Sequence, residues 1–147
     1  MRWKTKAVLI CLGLLLFFLL TEVARSPKSS SNSVQIFFFD VGQGDAELIQ
    51  KGEYQILIDG GPDDKVLAEL GKVMPLTDRK IEVMILSHPH ADHLAGLNQV
   101  LDRYQVGTIY ASGVLHTSDG YLDFLAKVKE NKIEMKVPLI GESMTPY

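Results

Sequence analysis

Ile81–Leu86 (IEVMIL) is a run of six residues, five of them apolar, with neither a helical nor an alternating period. A run this short and nearly continuous reads as a fully buried strand, which other layers of structure must cover. Its neighbours supply them. Upstream, Val66, Leu67, Leu70 and Val73 recur at helical spacing, and Pro75 stops that helix. Downstream, Leu94, Leu97, Val100, Leu101 and Tyr104 make one face of a second helix, and Thr108–Ala111 is a strand. Leu122, Leu125 and Val128 mark a third helix after Ser118, and Glu134–Leu139 gives one more strand. Before all of these, Val34–Asp40 (VQIFFFD) is a strand, and Ala46–Gln50 pairs with Tyr54–Asp59 (YQILID) as a hairpin around Lys51-Gly52-Glu53. A meander of three strands leading into alternating helices and strands predicts an α/β fold with helices covering a mixed sheet. No internal repeat is visible.

The first 33 residues differ in character. Arg2, Lys4 and Lys6 precede an unbroken apolar run of 14 residues, Ala7–Leu20, and Ser26–Ser33 is a polar, turn-forming stretch. The expected organisation is a signal peptide or membrane anchor over 1–25, a linker over 26–33 and a folded body over 34–147. Fourteen helical residues span about 21 Å, short of the ~30 Å hydrocarbon core, which favours a signal peptide. Against that, Thr21-Glu22-Val23-Ala24-Arg25-Ser26 offers no small-x-small cleavage site, which favours an uncleaved transmembrane anchor. Under both readings the protein is membrane-anchored or secreted, with its body outside the cytoplasm. The body carries 10 Lys and Arg against 17 Asp and Glu, a net charge of −7 where the whole chain has −3. That charge speaks against a basic nucleic-acid-binding module. The regular apolar runs exclude a disordered chain. A disulfide within the chain is excluded because Cys11 is the sole cysteine.

The chemistry gathers in Ser87-His88-Pro89-His90-Ala91-Asp92-His93, which joins the buried strand to the second helix and holds three of the four histidines. In extended backbone, residues two apart point the same way, so His88 and His90 can grip one ion together. Asp92 and His93 turn into the helix and can face a second ion close by. Imidazole with carboxylate suits zinc, with manganese and iron as alternatives. Two ions about 3.5–4 Å apart can share a bridging hydroxide that is nucleophilic at neutral pH. The end of a buried strand is also where open α/β sheets place their sites. A helix N-cap role for Asp92 fits its position but accounts for none of the histidines.

Other residues are less decisive. Asp59, which ends an apolar strand before Gly60-Gly61, reads either as a turn residue or as an outer acceptor holding a metal-binding histidine in its tautomer. Gly42 and Gly44 bracket Gln43 and precede Asp45. This is a plain turn or a loop whose glycines let backbone approach a ligand, with Gln43 and Asp45 as candidate substrate contacts. Gly96 costs about 1 kcal/mol relative to Ala in a helix, so close packing is expected there. His116, 23 residues beyond His93, reads as a solvated loop histidine, with a third metal ligand as the alternative.

HPHADHLAG resembles the H-x-H-x-D-H-x-x-G signature of the metallo-β-lactamase-fold hydrolases, and Asp59 in LIDGG is similar to the aspartate that family places at the end of an earlier strand. FFDVGQGDAELI, LIDGG and LSHPHADHLAGL together most resemble the exported hydrolase domain of ComEC-type DNA-uptake proteins and their free-standing relatives, over about residues 34–140. The resemblance implies an αββα sandwich and a dinuclear site, with zinc as the first choice. In it, His88 and His90 would hold the first metal, and Asp92 and His93 the second. Asp92 would be the catalytic carboxylate, and Asp59 would give support from behind. It also implies hydrolysis of an ester or phosphodiester by a metal-bound hydroxide, with nucleic acid among the candidate substrates.

The family pattern further includes a later histidine, a bridging aspartate and another later histidine, carried on a second βαβ half. His116 arrives too early to match that order, and Gly141–Tyr147 falls where the half would begin. The expectation is therefore the first half of the sandwich, truncated, with a missing C-terminal half as its partner and little activity alone. The alternative function is a non-catalytic metal-binding fragment or assembly half.

Overall fold

The computed structural model describes residues 8–18 and 33–143. Residues 8–18 form a helix, α1, with apolar side chains such as Leu9 and Phe17 exposed. The basic flank at Arg2, Lys4 and Lys6, the end of the apolar run, nearly all of the linker and residues 144–147 lie outside the described residues. Among the described residues, no helix is long and apolar enough to cross a membrane. The described part of the expected leader helix rises only ~16 Å.

The body contains β1 (Gln35–Phe38), β2 (Glu47–Lys51), β3 (Tyr54–Ile58), α2 (Lys65–Val73), β4 (Lys80–Leu86), α3 (Ala91–Leu101), β5 (Gln105–Ala111), α4 (Asp119–Glu130) and β6 (Glu134–Lys136). The strands form one sheet in chain order, β1-β2-β3-β4-β5-β6. The first three are antiparallel, with Phe38 opposite Glu47 and Glu47 opposite Ile58. From β3 onward the pairs are parallel, with Ile58 beside Ile85 and Ile85 beside Tyr110. The mixed sheet and the element order are those expected from the sequence. The differences are at the ends. β5 starts earlier than Thr108 because Gln105 N–H donates to Arg79 O (2.8 Å) and pairs with Lys80. β6 stops short of Leu139, where Pro138 has no N–H to give a ladder.

Each of the three crossovers joins neighbouring parallel strands and steps the same way across the sheet. Right-handed crossovers then put α2, α3 and α4 on one face. Burial agrees: Leu48, Leu57, Met84, Leu86 and Ile109 are buried with Val66, Leu70, Leu94, Leu97 and Phe124 in a single core. The opposite face carries Ile36, Phe38, Ile49, Ile56, Ile58 and Ile85 at matching register. On it Ile36 is 57% and Phe38 80% exposed. In Lys80–Leu86, Met84 and Leu86 are buried beneath the helices, while on the other side Val83 is 5% exposed and Ile85 half-buried.

Candidate metal centre

Because β3, β4 and β5 run parallel, their carboxyl ends open at one edge of the sheet, and antiparallel β2 begins at that edge. This arrangement gathers Asp59 after β3, Ser87–His90 after β4, the His116 loop after β5, and Asp45 and Glu47 at the start of β2. α3 takes His90 as its N-cap, with no side-chain capping bond, and carries Asp92 and His93 in its first turn. Asp92 is thus not the N-cap, and its carboxylate stays available to the site.

Asp59 is only 3% exposed and holds a left-handed backbone, φ 54°. Its Oδ1 accepts the Ser87 N–H at 2.9 Å, and its Oδ2 accepts the Ser87 Oγ–H and lies 2.8 Å from His93 Nδ1. An ionised carboxylate only accepts, so His93 Nδ1 carries the proton in that contact. The single Ser87 hydroxyl proton goes to Asp59. The 2.9 Å contact between Ser87 Oγ and His88 Nδ1 must then run from His88 Nδ1–H to the hydroxyl. In the neutral rings this leaves Nε2 unprotonated, the form that binds a metal. Asp59 is thus more than a turn residue: it fixes His93 directly and His88 through Ser87.

The His88 ring centroid lies 4.0 Å from that of His93 and 4.7 Å from that of His90. Two groups of ligand atoms have all members within 4.8 Å of one another: Asp59, His88 and His93, and His88, His90 and Asp92. Asp92 thus stands with His88 and His90, while its Oδ2 is 3.9 Å from His93 Nε2. Imidazole nitrogens and carboxylate oxygens at these separations fit a divalent ion of the zinc, manganese or iron type.

Residues 39–138 match the family described as the metallo-beta-lactamase superfamily, over more than half of the chain. The chain belongs to that superfamily. It is 35% identical over 109 residues to Recombination protein 2 of Haemophilus influenzae, covering 71% of this chain and 13% of that protein. It is also 35% identical over 66 residues to the Probable metallo-hydrolase YhfI of Bacillus subtilis, covering 45% of this chain and 25% of the relative. The chain therefore spans a quarter or less of the curated relatives it matches. Among solved structures, YhfI superposes with a TM-score of 0.46 at 21% identity, over 75% of this chain and 44% of that one. Rm3 metallo-beta-lactamase gives a TM-score of 0.44 at 25% identity, over 53% and 29%.

In this superfamily member the histidine turn is gripped by main chain on two sides. A Cβ on Gly44 would lie 1.8 Å from Asp92 O, and one on Gly96 would lie 1.8 Å from Gly60 O. Gly60 N–H donates to His93 O (2.8 Å) and Gly96 N–H to Gly61 O (3.0 Å). The glycine loop does allow a close backbone approach, and what it approaches is the backbone of Asp92. On that loop Gln43 is exposed, and Asp45 places Oδ2 3.9 Å from His93 Nδ1.

Three residues at this edge carried little sequence signal. Ser87 is the relay described above, marked only by its place beside His88. Glu47 faces the same charges: partial burial pushes its carboxyl above the usual range, and Asp45 and Asp59 add to that against the opposing pull of His93. His116, read as a solvated loop residue, is exposed, but its ring lies 6.1 Å from that of His90 at 74°.

Proposed function

We propose that this chain carries the ligand-bearing part of an exported, metal-dependent hydrolase acting on an ester or phosphodiester. The observation that carries the reading is the cluster of His88, His90 and Asp92 beside His93, with Asp59 holding the His93 ring directly and the His88 ring through Ser87. Divalent ions there, two in this reading and zinc before manganese or iron, would supply Lewis acidity and lower the pKa of water. The chain's own part is to hold and orient them. His88, His90, Asp92 and His93 provide the ligand atoms. Asp59 and Ser87 lock ring orientation, and Asp92 is the catalytic carboxylate at the open side. Gln43 and Asp45 would contact substrate. The name of YhfI supports hydrolysis, and that of Recombination protein 2 keeps nucleic acid among the substrates, against the acidic body. The exposed apolar α1 behind Arg2, Lys4 and Lys6 supports membrane attachment with the body outside the cytoplasm.

The bare apolar sheet face favours a second reading, a non-catalytic assembly half of an αββα sandwich. One experiment covers both. Zinc content and turnover of a chromogenic phosphodiester are measured for the full chain, alone and joined to the C-terminal half of a relative. The expected result is zinc uptake that His88→Ala with His90→Ala abolishes, little turnover alone, and turnover on joining that Asp92→Ala removes. Zinc uptake with no turnover in the joined protein would leave the assembly reading, and no zinc uptake at all would overturn the hydrolase reading.

A further inference from the structure

We propose that His116 donates a hydrogen bond from Nε2–H to an anionic oxygen of the substrate at this centre and is not a metal ligand, an inference that rests on the metal-dependent reading above. The Ser118 backbone N–H donates to His116 Nδ1 at 3.2 Å. A ring nitrogen that accepts from an amide carries no proton, so the proton sits on Nε2. His88 and His93 are held in the opposite sense, with Nδ1 protonated and Nε2 free. The ring 6.1 Å from that of His90 therefore carries an N–H on Nε2 where His88 and His93 carry lone pairs, and it belongs to neither ligand group.

Its donor is itself fixed. Ser118 is the N-cap of α4, its Oγ accepting the Tyr121 N–H. Asn98 Nδ2 of α3 donates to Gly120 O at 2.9 Å, tying that end of α4 to the helix that carries Asp92 and His93. Asp45, Glu47, Asp59 and Asp92 make the surroundings acidic, so an incoming oxyanion needs a donor as well as the ions. A phosphoryl or carboxylate oxygen is the group that an N–H at this position fits.

The test uses the full chain, loaded with zinc and titrated with inorganic phosphate by calorimetry. His116→Ala is expected to keep the zinc content and to weaken phosphate binding about tenfold, with His116→Gln, which keeps an N–H donor, recovering most of it. Loss of zinc in His116→Ala would make His116 a ligand and overturn the proposal, as would unchanged phosphate affinity. A wild-type chain that takes up no zinc defeats the metal reading instead. His116 is then decided by phosphate titration of the metal-free protein, where a loss of affinity in His116→Ala that His116→Gln recovers upholds the donor role and equal affinity overturns it.

Discussion

Every donor around Asp59 is committed, and that makes the carboxylate hard to replace. In Asp59→Asn one of the two oxygens becomes an NH₂ that faces either the Ser87 N–H, or the Ser87 hydroxyl and His93 Nδ1–H. Asn tolerates the left-handed backbone, so the loss is one of hydrogen bonding rather than of strain. Zinc affinity, measured by competition with a chromophoric chelator, is expected to fall roughly 10–100-fold, and Ser87→Ala to show a smaller loss because only His88 depends on the relay. An Asp59→Asn protein with undiminished affinity would show that the carboxylate does not set the histidine tautomers. The clustered histidines were legible in the sequence because they fall within six consecutive positions. The role of Asp59 was legible only as one of two readings, because its partners lie 28 and 34 positions away.

At the scale of elements, α3 is the piece that must not move. In an ordinary helix Gly→Ala gains about 1 kcal/mol. Gly71 of α2, where an added Cβ meets nothing within 4 Å, should show that gain. Gly96→Ala should do the reverse and destabilise by about 2 kcal/mol or more, because the clash is with the Gly60 backbone and no side chain can swing aside. Urea midpoints of the two variants should shift in opposite directions. Close packing at Gly96 was foreseeable from the cost of glycine in a helix, but Gly60 as its partner was not, since it lies on a different loop. α4 is held to α3 by Lys127, whose Nζ donates to Asp102 at 2.7 Å and to Asn98 O at 3.2 Å. Burial alone would lower its pKa, yet the hydrogen bond to Asp102 and the charges of Asp102 and Asp123 outweigh it and raise the value above 10.5. A lysine with a raised folded pKa stabilises fully below its unfolded value, and this contribution is lost as pH rises through the folded one. Lys127→Met should therefore lose about 1 kcal/mol at neutral pH and show a shallower fall in stability above pH ~10.5, measured by urea unfolding across that range.

For the molecule as a whole, the unequal faces of the sheet decide behaviour in solution. Ile36 and Phe38 stand exposed beside the half-buried Ile49, Ile56, Ile58 and Ile85, with Glu47 among them, an apolar surface of the kind that marks an interface or an aggregation hazard. A chain expressed without residues 1–33 should bind hydrophobic dyes and sediment as dimers or larger species, and Ile36→Ser with Phe38→Ser should reduce both. A monodisperse monomer that ignores the dye would contradict this. The helical layer and strand order were legible from period and turn residues. Which face of Ile81–Leu86 would be sealed was not, because its nearly unbroken apolar run carries no alternation to mark one side. The sheet's order also bears on how the molecule is made. Every strand of the described sheet after the first lies beside the one synthesised just before it, so each finds its ladder partner already made. A chain emerging amino-end first, from ribosome or translocation pore, can lay its sheet down like successive courses of brick. The histidine loop follows the fourth course and precedes α4 in that order.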